Sequence, residues 1–263
     1  MSIFNYFKNG LLNMENVIPL SIINIIFSLI NWNAIINILE FRGMYIGLKI
    51  SLPSVIIDLW SFAEYPHQGV EVNVGFMTFY TFQRSMPLSI ILMLIFTFVY
   101  ALAAYFYLYA LFTKGVHLNI KINLKRILDL FVYYLLISIL ALLLILTSRI
   151  DIVLLLYVII LLIINYFIYA SPFIIVGFNK GISEAIVTSA LSAWKNTYLS
   201  YTILYIIITS IISPILTLIA VNGKMPGIIV ASVLVGLPGL WLALSTTLMI
   251  IDVSKESINT LHD

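Results

Sequence analysis

Six long apolar stretches run along the chain, separated by more polar connections. Read from the hydrophobic pattern, their bounds are 17–39, 87–113, 127–148, 152–178, 198–221 and 228–251. Each is long enough for a helix that crosses the hydrocarbon of a bilayer, which needs about 20 apolar residues. Asp129 is the one acidic, basic or histidine residue inside them. The pattern predicts an all-α fold: a polytopic transmembrane helix bundle of six spans with short amphipathic interfacial helices, in a single domain over 1–263.

The segment 43–62 has the length of a span but not its composition. Lys49, Pro53 and Asp58 interrupt its apolar run. A charge near the centre of a bilayer is costly, whereas a proline is tolerated in the first turn of a helix. A short helix lying in the membrane interface is therefore favoured, and a seventh span is the alternative.

Composition identifies lipid as the main solvent of this fold. Hydrophobic residues make up 62% of the 263 residues and charged residues 9%, with a mean hydropathy of +1.12. Soluble domains carry about 25% charged residues. The net charge of +2, without a basic run, argues against nucleic acid as a partner. The absence of cysteine excludes disulfides, cysteine-ligated metals and thiol catalysis. Richness in isoleucine, asparagine, lysine and tyrosine is typical of AT-rich prokaryotes, including archaea.

Lysine and arginine in the connections predict the orientation in the cell membrane. Seven of them lie in 114–126, in 179–196 and in the tail: Lys114, Lys121, Lys125, Arg126, Lys180, Lys195 and Lys255. The short connections of the opposite side carry only Arg149 and Lys224. Because cytoplasmic loops are enriched in these residues, both termini are predicted to be cytoplasmic and the loop 40–86 extracytoplasmic. The first span lacks a small-residue cleavage motif and is predicted to be retained.

Two connecting segments have patterns of their own. In the loop 40–86, GVEVNVGF alternates apolar and polar residues and is predicted to pair as a hairpin with MTFYTF. The stretch 179–196, NKGISEAIVTSALSAWKN, is predicted to be an amphipathic helix with Gly181 as its N-cap. Its apolar face, with Ile186, would contact the bundle and lipid, and its polar face would carry Thr188 and Ser192. The three tyrosines that follow are predicted to line the membrane edge: Tyr198, Tyr201 and Tyr205.

The pattern PFIIVGFNKGISEAIVTSALSAWKNTYLSY resembles the polytopic domain that anchors some bacterial glycerophosphodiester phosphodiesterases. It also resembles a wide group of related bacterial and archaeal integral membrane proteins. The matching residues are Pro172, Gly181, Glu184, Ala185, Ser189, Trp194 and Asn196. The resemblance covers about 90–255, with specific motifs in 171–205. It implies an architecture and no activity, because the hydrolase domain of some members has no counterpart in these residues.

Candidate polar sites are few. The most polar cluster outside the spans lies in the long loop: Asp58, Glu64, His67 and Glu71. Glu64 and His67 have the spacing of a helical metal pair, but Pro66 and Gly69 oppose a helix there. A solvated loop is therefore predicted, and His117 and His262 have less around them still.

Polar and small residues inside the spans are interpreted mainly as packing devices. Asn24 and Asn31 are predicted to hydrogen-bond between helices, with a polar path as the alternative. In the sixth span, Ser232 and Gly236 form a small-residue pair that favours close helix packing. The Gly-Leu-Pro-Gly segment 236–239 is predicted to be a packing kink, with a hinge or a broken helix near a substrate as the alternative.

No serine with a base, paired carboxylates or phosphate-binding loop can be assembled from the sequence. We therefore predict no catalytic, cofactor-binding or metal-binding residues and no enzyme activity. The favoured hypothesis is a non-catalytic scaffold, anchor or subunit of a membrane complex. The alternative is the permease component of a transporter that works with a separate ATPase. An ion-coupled carrier is disfavoured, since no buried carboxylate is predicted. The partners are the lipid bilayer and a further protein or a second copy bound through small-residue helix faces.

Overall fold

A computed structural model describes residues 3–47, 49, 51–66, 72–74, 77–79, 86–115, 122–147 and 151–259. These residues contain ten α-helices: α1 Ile3–Leu12, α2 Ser21–Ile30, α3 Trp32–Glu40, α4 Met86–Thr113, α5 Leu124–Thr147, α6 Asp151–Ile168, α7 Ser171–Gly177, α8 Ile182–Ala193, α9 Asn196–Asn222 and α10 Lys224–Asn259. Glu15–Leu20 and Leu59–Ser61 are 3-10 turns. The predicted hairpin is confirmed: β1 Val72–Val74 pairs antiparallel with β2 Met77–Phe79.

The helices have the dimensions and surface of a membrane bundle. Among the described residues, four helical segments are long and apolar enough to cross a membrane: Met93–Thr113, Ile159–Gly177, Asn196–Asn222 and Lys224–Lys255. The bent pair Ile3–Leu12 and Glu15–Ile30 would make a fifth. The predicted third span, 127–148, corresponds to α5, whose side chains are described as far as residue 140. Large apolar side chains such as Ile163 and Ile211 remain exposed, as they are where lipid is the solvent. The chain is a membrane-embedded all-α bundle.

The first predicted span, 17–39, is not one continuous helix. It consists of the end of the 3-10 turn Glu15–Leu20 followed by α2 and α3, which Asn31 separates. Before it, a bend of 80° separates α1 from Glu15–Ile30. The Asn31 side chain accepts a hydrogen bond from the Ala34 N–H (3.2 Å) and so caps α3. Asn24 forms the predicted interhelical bond, since its Nδ2 donates to the Gly236 carbonyl of α10 (3.2 Å).

The described part of the segment 43–62 forms neither the interfacial helix that the sequence favours nor the alternative, a seventh span. Within its described part, the turn Leu59–Ser61 is the one helical piece. Three backbone N–H groups of the loop donate to side-chain oxygens of α9: Tyr45 to Asn222 Oδ1 (3.3 Å), Lys49 to Ser213 Oγ (2.8 Å) and Glu64 to Thr217 Oγ1 (2.9 Å). Ser213 lies nine residues before the end of α9, about 14 Å along the axis. The loop therefore enters the bundle and returns on the same side.

Its deepest described contact is with α10. A Cβ atom at Gly239 would lie 2.5 Å from the Ile57 carbonyl oxygen, so the loop backbone touches the helix where only glycine fits. Gly239 lies about 22 Å along the axis from the start of α10, well inside a hydrocarbon layer of about 30 Å. Pro238 does not break α10. Gly239 contacts the loop, whereas Gly236 packs against Ile25 and the Ser21 carbonyl of α2. We call residues 42–66 the re-entrant loop.

The helix α8 begins after Gly181 as predicted, but its polar face is only partly exposed: Thr188 and Ser192 are buried, whereas Ser183 and Glu184 of the same face are exposed. The small residues are buried: Ala185, Thr188, Ser189, Ser192 and Ala193. Val187, Leu191 and Trp194 are exposed instead. Ser189 Oγ donates to the Phe167 carbonyl (2.7 Å), because short hydroxyl side chains allow close approach and satisfy their own hydrogen bonds. The predicted tyrosine edge is also wrong, since all three rings are fully buried: Tyr198, Tyr201 and Tyr205.

We predict that Ser28→Ala destabilises the protein by about 1–3 kcal/mol, the cost of a buried polar group that loses its partner. Ser28 is fully buried in α2, and its Oγ accepts from the Leu59 N–H of the re-entrant loop (2.8 Å). Ser232→Ala is the matched control. Ser232 is equally buried, but its Oγ bonds the Ile228 carbonyl of its own helix (2.7 Å). Thermal unfolding in detergent should separate the two variants, and equal midpoints would contradict the anchoring role of Ser28.

Candidate functional site

A cavity of about 270 Å³ lies between the re-entrant loop and the helices α4 to α7. The loop contributes several polar lining residues, listed here: Lys49, Ser51, Ser54, Asp58 and Ser61. The helices contribute mainly aromatic and apolar residues, among them Tyr100, Tyr133, Tyr134, Ile137, Leu162, Asn165 and Tyr169. The loop wall supplies polar groups to a mainly apolar cavity, because non-helical backbone and the side chains that cap it replace one wall of helix.

Asp58 is the ionisable group at the centre of this wall. Its side chain caps the turn Leu59–Ser61: Oδ1 accepts from the Ser61 N–H (2.9 Å) and from the Ser61 Oγ–H (2.8 Å). The residue is more than nine-tenths buried. Burial raises the pKa of the Asp58 carboxyl, while the hydrogen bonds from Ser61 and the charge of Lys49 offset part of that rise. The prediction that no carboxylate is buried is therefore wrong.

Lys49 supplies the opposite charge. Its backbone N–H is held by Ser213 (2.8 Å), and its Nζ donates to the Trp60 carbonyl. The Lys49 side chain is half-buried, and its charge acts favourably on Asp58. The hydrogen bond from Nζ to Trp60 joins the two arms of the loop. Lys49 therefore stabilises the loop as well as the Asp58 carboxylate.

The tyrosines of the cavity differ in how their hydroxyls are used. Tyr133 Oη donates to the Ile168 carbonyl (3.0 Å), and Tyr169 Oη pairs with Thr202 Oγ1 (2.8 Å). Tyr134 Oη is buried and has no hydrogen-bond partner among the described residues. Because that oxygen has almost no accessible surface, Tyr134 presents its ring, and not its hydroxyl, to the cavity.

Other polar residues singled out in the sequence do not join this site. Glu64 is half-buried on the returning arm of the loop. His67, Glu71, His117 and His262 lie outside the described residues. In the part of the chain that the structure covers, no group of three or more histidine or acidic side chains could hold a metal ion.

The sequence feature that could have revealed the site is the segment 43–62, which has the length of a span but not its composition. Lys49 and Asp58 carry opposite charges within an apolar stretch, and Pro53 between them prevents a continuous helix. Such a segment can be a re-entrant loop if surrounding side chains satisfy its backbone. The distant acceptors on α2 and α9 were not identifiable from local pattern.

We predict that Asp58→Asn gains stability relative to the wild type as the pH rises. Asparagine keeps Oδ1 as an acceptor for Ser61 and removes the charge. Since the pKa of Asp58 is raised in the folded state, the stability contributed by its protonated form is complete below the unfolded pKa of about 3.9. It is lost as the pH rises through the folded pKa. The variant also loses the favourable charge interaction between Asp58 and Lys49. That loss lowers its stability but does not make it gain stability relative to the wild type as the pH rises.

Thermal unfolding in detergent between about pH 4 and pH 8, a window that starts near the unfolded pKa, measures this difference. Glu184→Gln is the control, because its carboxylate forms an exposed pair with Lys180 (3.2 Å). Exposed pairs contribute about 0–1 kcal/mol, so its midpoint should follow the wild type. A difference between Asp58→Asn and the wild type that stays constant with pH would contradict the burial of the charged carboxyl.

No protein-family model, no curated protein and no solved structure matches the chain. The fold class and the membrane location come from the helices themselves, and the function is inferred from the cavity.

Proposed function

We propose that this chain is a non-catalytic permease, the transmembrane component of a transporter that holds a small polar solute in the cavity beneath the re-entrant loop. It lies in the cell membrane with both termini in the cytoplasm, following the distribution of lysine and arginine. The re-entrant loop then enters from the outer side, at the turn between α9 and α10. A solute reaching the cavity would come from that side.

One observation carries the proposal: the re-entrant loop brings Lys49 and Asp58 to a cavity inside a membrane bundle. Ionisable residues at such depth are costly and characteristically mark solute or ion pathways. Irregular backbone within the membrane is tolerated where it is buried in protein or lines a cavity. Transporters use interrupted segments of this kind near the midplane to contact their substrates.

The same observation weakens the hypothesis that the sequence favoured. A scaffold needs only helices whose apolar surfaces face lipid and a partner. It has no need for a lysine and a carboxylate on the wall of a cavity beside α4, α5 and α6. The preference for a scaffold depended on the apparent lack of a buried carboxylate, and Asp58 removes that ground.

We predict that water-soluble reagents reach the cavity from outside the cell. The chain contains no cysteine, so a single substitution gives an unambiguous thiol. Ser54→Cys lines the cavity and should react with a small membrane-impermeant methanethiosulfonate at least 10-fold faster than Ser232→Cys. Ser232 is fully buried between packed helices. Labelling rates are measured on intact cells and on inverted vesicles.

A plugging variant sharpens this test. Ile137→Trp places an indole on the cavity wall, whereas Ile160→Trp adds the same group to the lipid-facing side of α6. Only the first should slow the labelling of Ser54→Cys. Equal, slow labelling of Ser54→Cys and Ser232→Cys would argue for a closed bundle and against a permease. Faster labelling in inverted vesicles would instead contradict the proposed orientation.

A scaffold or membrane anchor is the second candidate, supported by the resemblance of residues 171–205 to an enzyme-anchoring domain. Purification of the tagged protein from its own membranes in mild detergent separates the two. A stoichiometric nucleotide-binding ATPase is the expected companion of a permease component. An enzyme, a respiratory complex or a surface protein at equal stoichiometry would favour the anchor. A protein that migrates alone would leave the cysteine labelling to decide.

A further inference from the structure

We propose that the solute held in this cavity is a small organic cation, with Asp58 as its counter-ion and aromatic rings as its walls. This inference rests on the proposed function, because it names the chemical class of the transported solute. It is carried by the kinds of group that line the cavity and by how each is already engaged.

The aromatic lining is the first argument. Five rings line the cavity: Trp60, Tyr100, Tyr133, Tyr134 and Tyr169. Tyr134 packs edge-to-face against Tyr100 (centroids 4.7 Å apart, 85°) and against Tyr133 (5.2 Å, 76°). Walls in nearly perpendicular planes present ring faces from different directions. Ring faces carry partial negative charge and attract a cation that lies within about 6 Å, most strongly when it is desolvated.

The use of the two charged groups is the second argument. Both hydrogen bonds that Asp58 accepts from Ser61 end on Oδ1, which leaves Oδ2 for a positively charged guest. The Lys49 Nζ donates to the Trp60 carbonyl, so part of its hydrogen-bonding capacity is already committed to the loop. An anion in the same place would face the carboxylate and the negative faces of the rings. The arrangement therefore favours a cation.

Size restricts the guest. Pockets for drug-sized ligands measure roughly 300–1,000 Å³, and this cavity of about 270 Å³ lies just below that range. A methylated ammonium compound has the right combination of charge, apolar surface and small volume. Tyr134 Oη is buried within the protein, so such a molecule would contact the ring of Tyr134 and not its hydroxyl.

Four compounds of similar shape test the charge requirement: choline, its neutral isostere 3,3-dimethyl-1-butanol, the anion 3,3-dimethylbutanoate and the zwitterion glycine betaine. Isothermal titration calorimetry on the purified full chain in detergent gives each dissociation constant. We expect choline to bind at least 10-fold more tightly than the neutral isostere. Equal affinity for the two, or tighter binding of the anion or the zwitterion, would overturn the assignment of a cation.

Variants of the two charged residues identify where the charge is sensed. Asp58→Asn, which keeps the acceptor for Ser61, should weaken choline binding at least 10-fold. Lys49→Gln removes a like charge and should raise the affinity. The reverse pattern would indicate an anionic solute, and loss of affinity in both variants would indicate a zwitterion. Each variant is compared at a temperature well below its own unfolding midpoint, so that misfolding is not mistaken for lost affinity.

Tyr134 provides a matched pair for the aromatic wall. Tyr134→Phe keeps the ring and should bind choline within about 3-fold of the wild type, whereas Tyr134→Leu should bind several-fold more weakly. Equal binding by both variants would remove the ring from the site. If Ser54→Cys is labelled through an open cavity but choline does not bind, the cation assignment fails and the permease proposal survives. If Ser54→Cys is not labelled, both fail.

Discussion

Every backbone N–H that the chain carries into the bilayer must find an acceptor within the protein, because lipid offers none. Helices satisfy this requirement internally, but the re-entrant loop cannot. Its N–H groups donate instead to side-chain oxygens of the surrounding helices: Ser28 on α2, and Ser213, Thr217 and Asn222 on α9. Ser28 contributes twice, since its carbonyl also accepts from Trp60 Nε1 (2.7 Å). The position of the loop, and with it the cavity, depends on these few acceptors.

The polar groups of the cavity follow from the same requirement. An irregular segment needs caps, and Asp58 caps the turn Leu59–Ser61 through Oδ1. The carboxyl group that caps this turn is ionisable. The capping residue therefore also brings a possible charge into the membrane interior. The positive charge of Lys49 stabilises the Asp58 carboxylate. Both side chains lie in a region where the effective dielectric constant is low. The position of Asp58 therefore gives it two roles: it caps the turn Leu59–Ser61 and brings an ionisable group to the cavity.

The apolar pattern correctly predicted the second, fourth, fifth and sixth spans, which correspond to the four helical segments of the described residues that are long and apolar enough to cross a membrane. It failed where helices meet each other. In α8, two residues of the predicted polar face, Thr188 and Ser192, are buried. Apolar side chains are favoured on the surface that faces lipid, so hydroxyl side chains lie in contacts between helices. The tyrosines of α9 are buried for the same reason. The re-entrant loop was missed because its stability lies in acceptors more than 150 residues away along the chain, which no local pattern reveals.

Whether the cavity selects a solute depends on what that solute offers beyond water. Water could hydrogen-bond Asp58 Oδ2 as well as most polar guests, so exchange of such a bond alone gives little net affinity. Water cannot exploit the faces of Tyr100, Tyr133 and Tyr134, whereas a methylated cation gains from both the rings and the carboxylate. The combination of one carboxylate with several aromatic faces therefore distinguishes an organic cation from water, from a small hydrated metal ion and from a neutral solute.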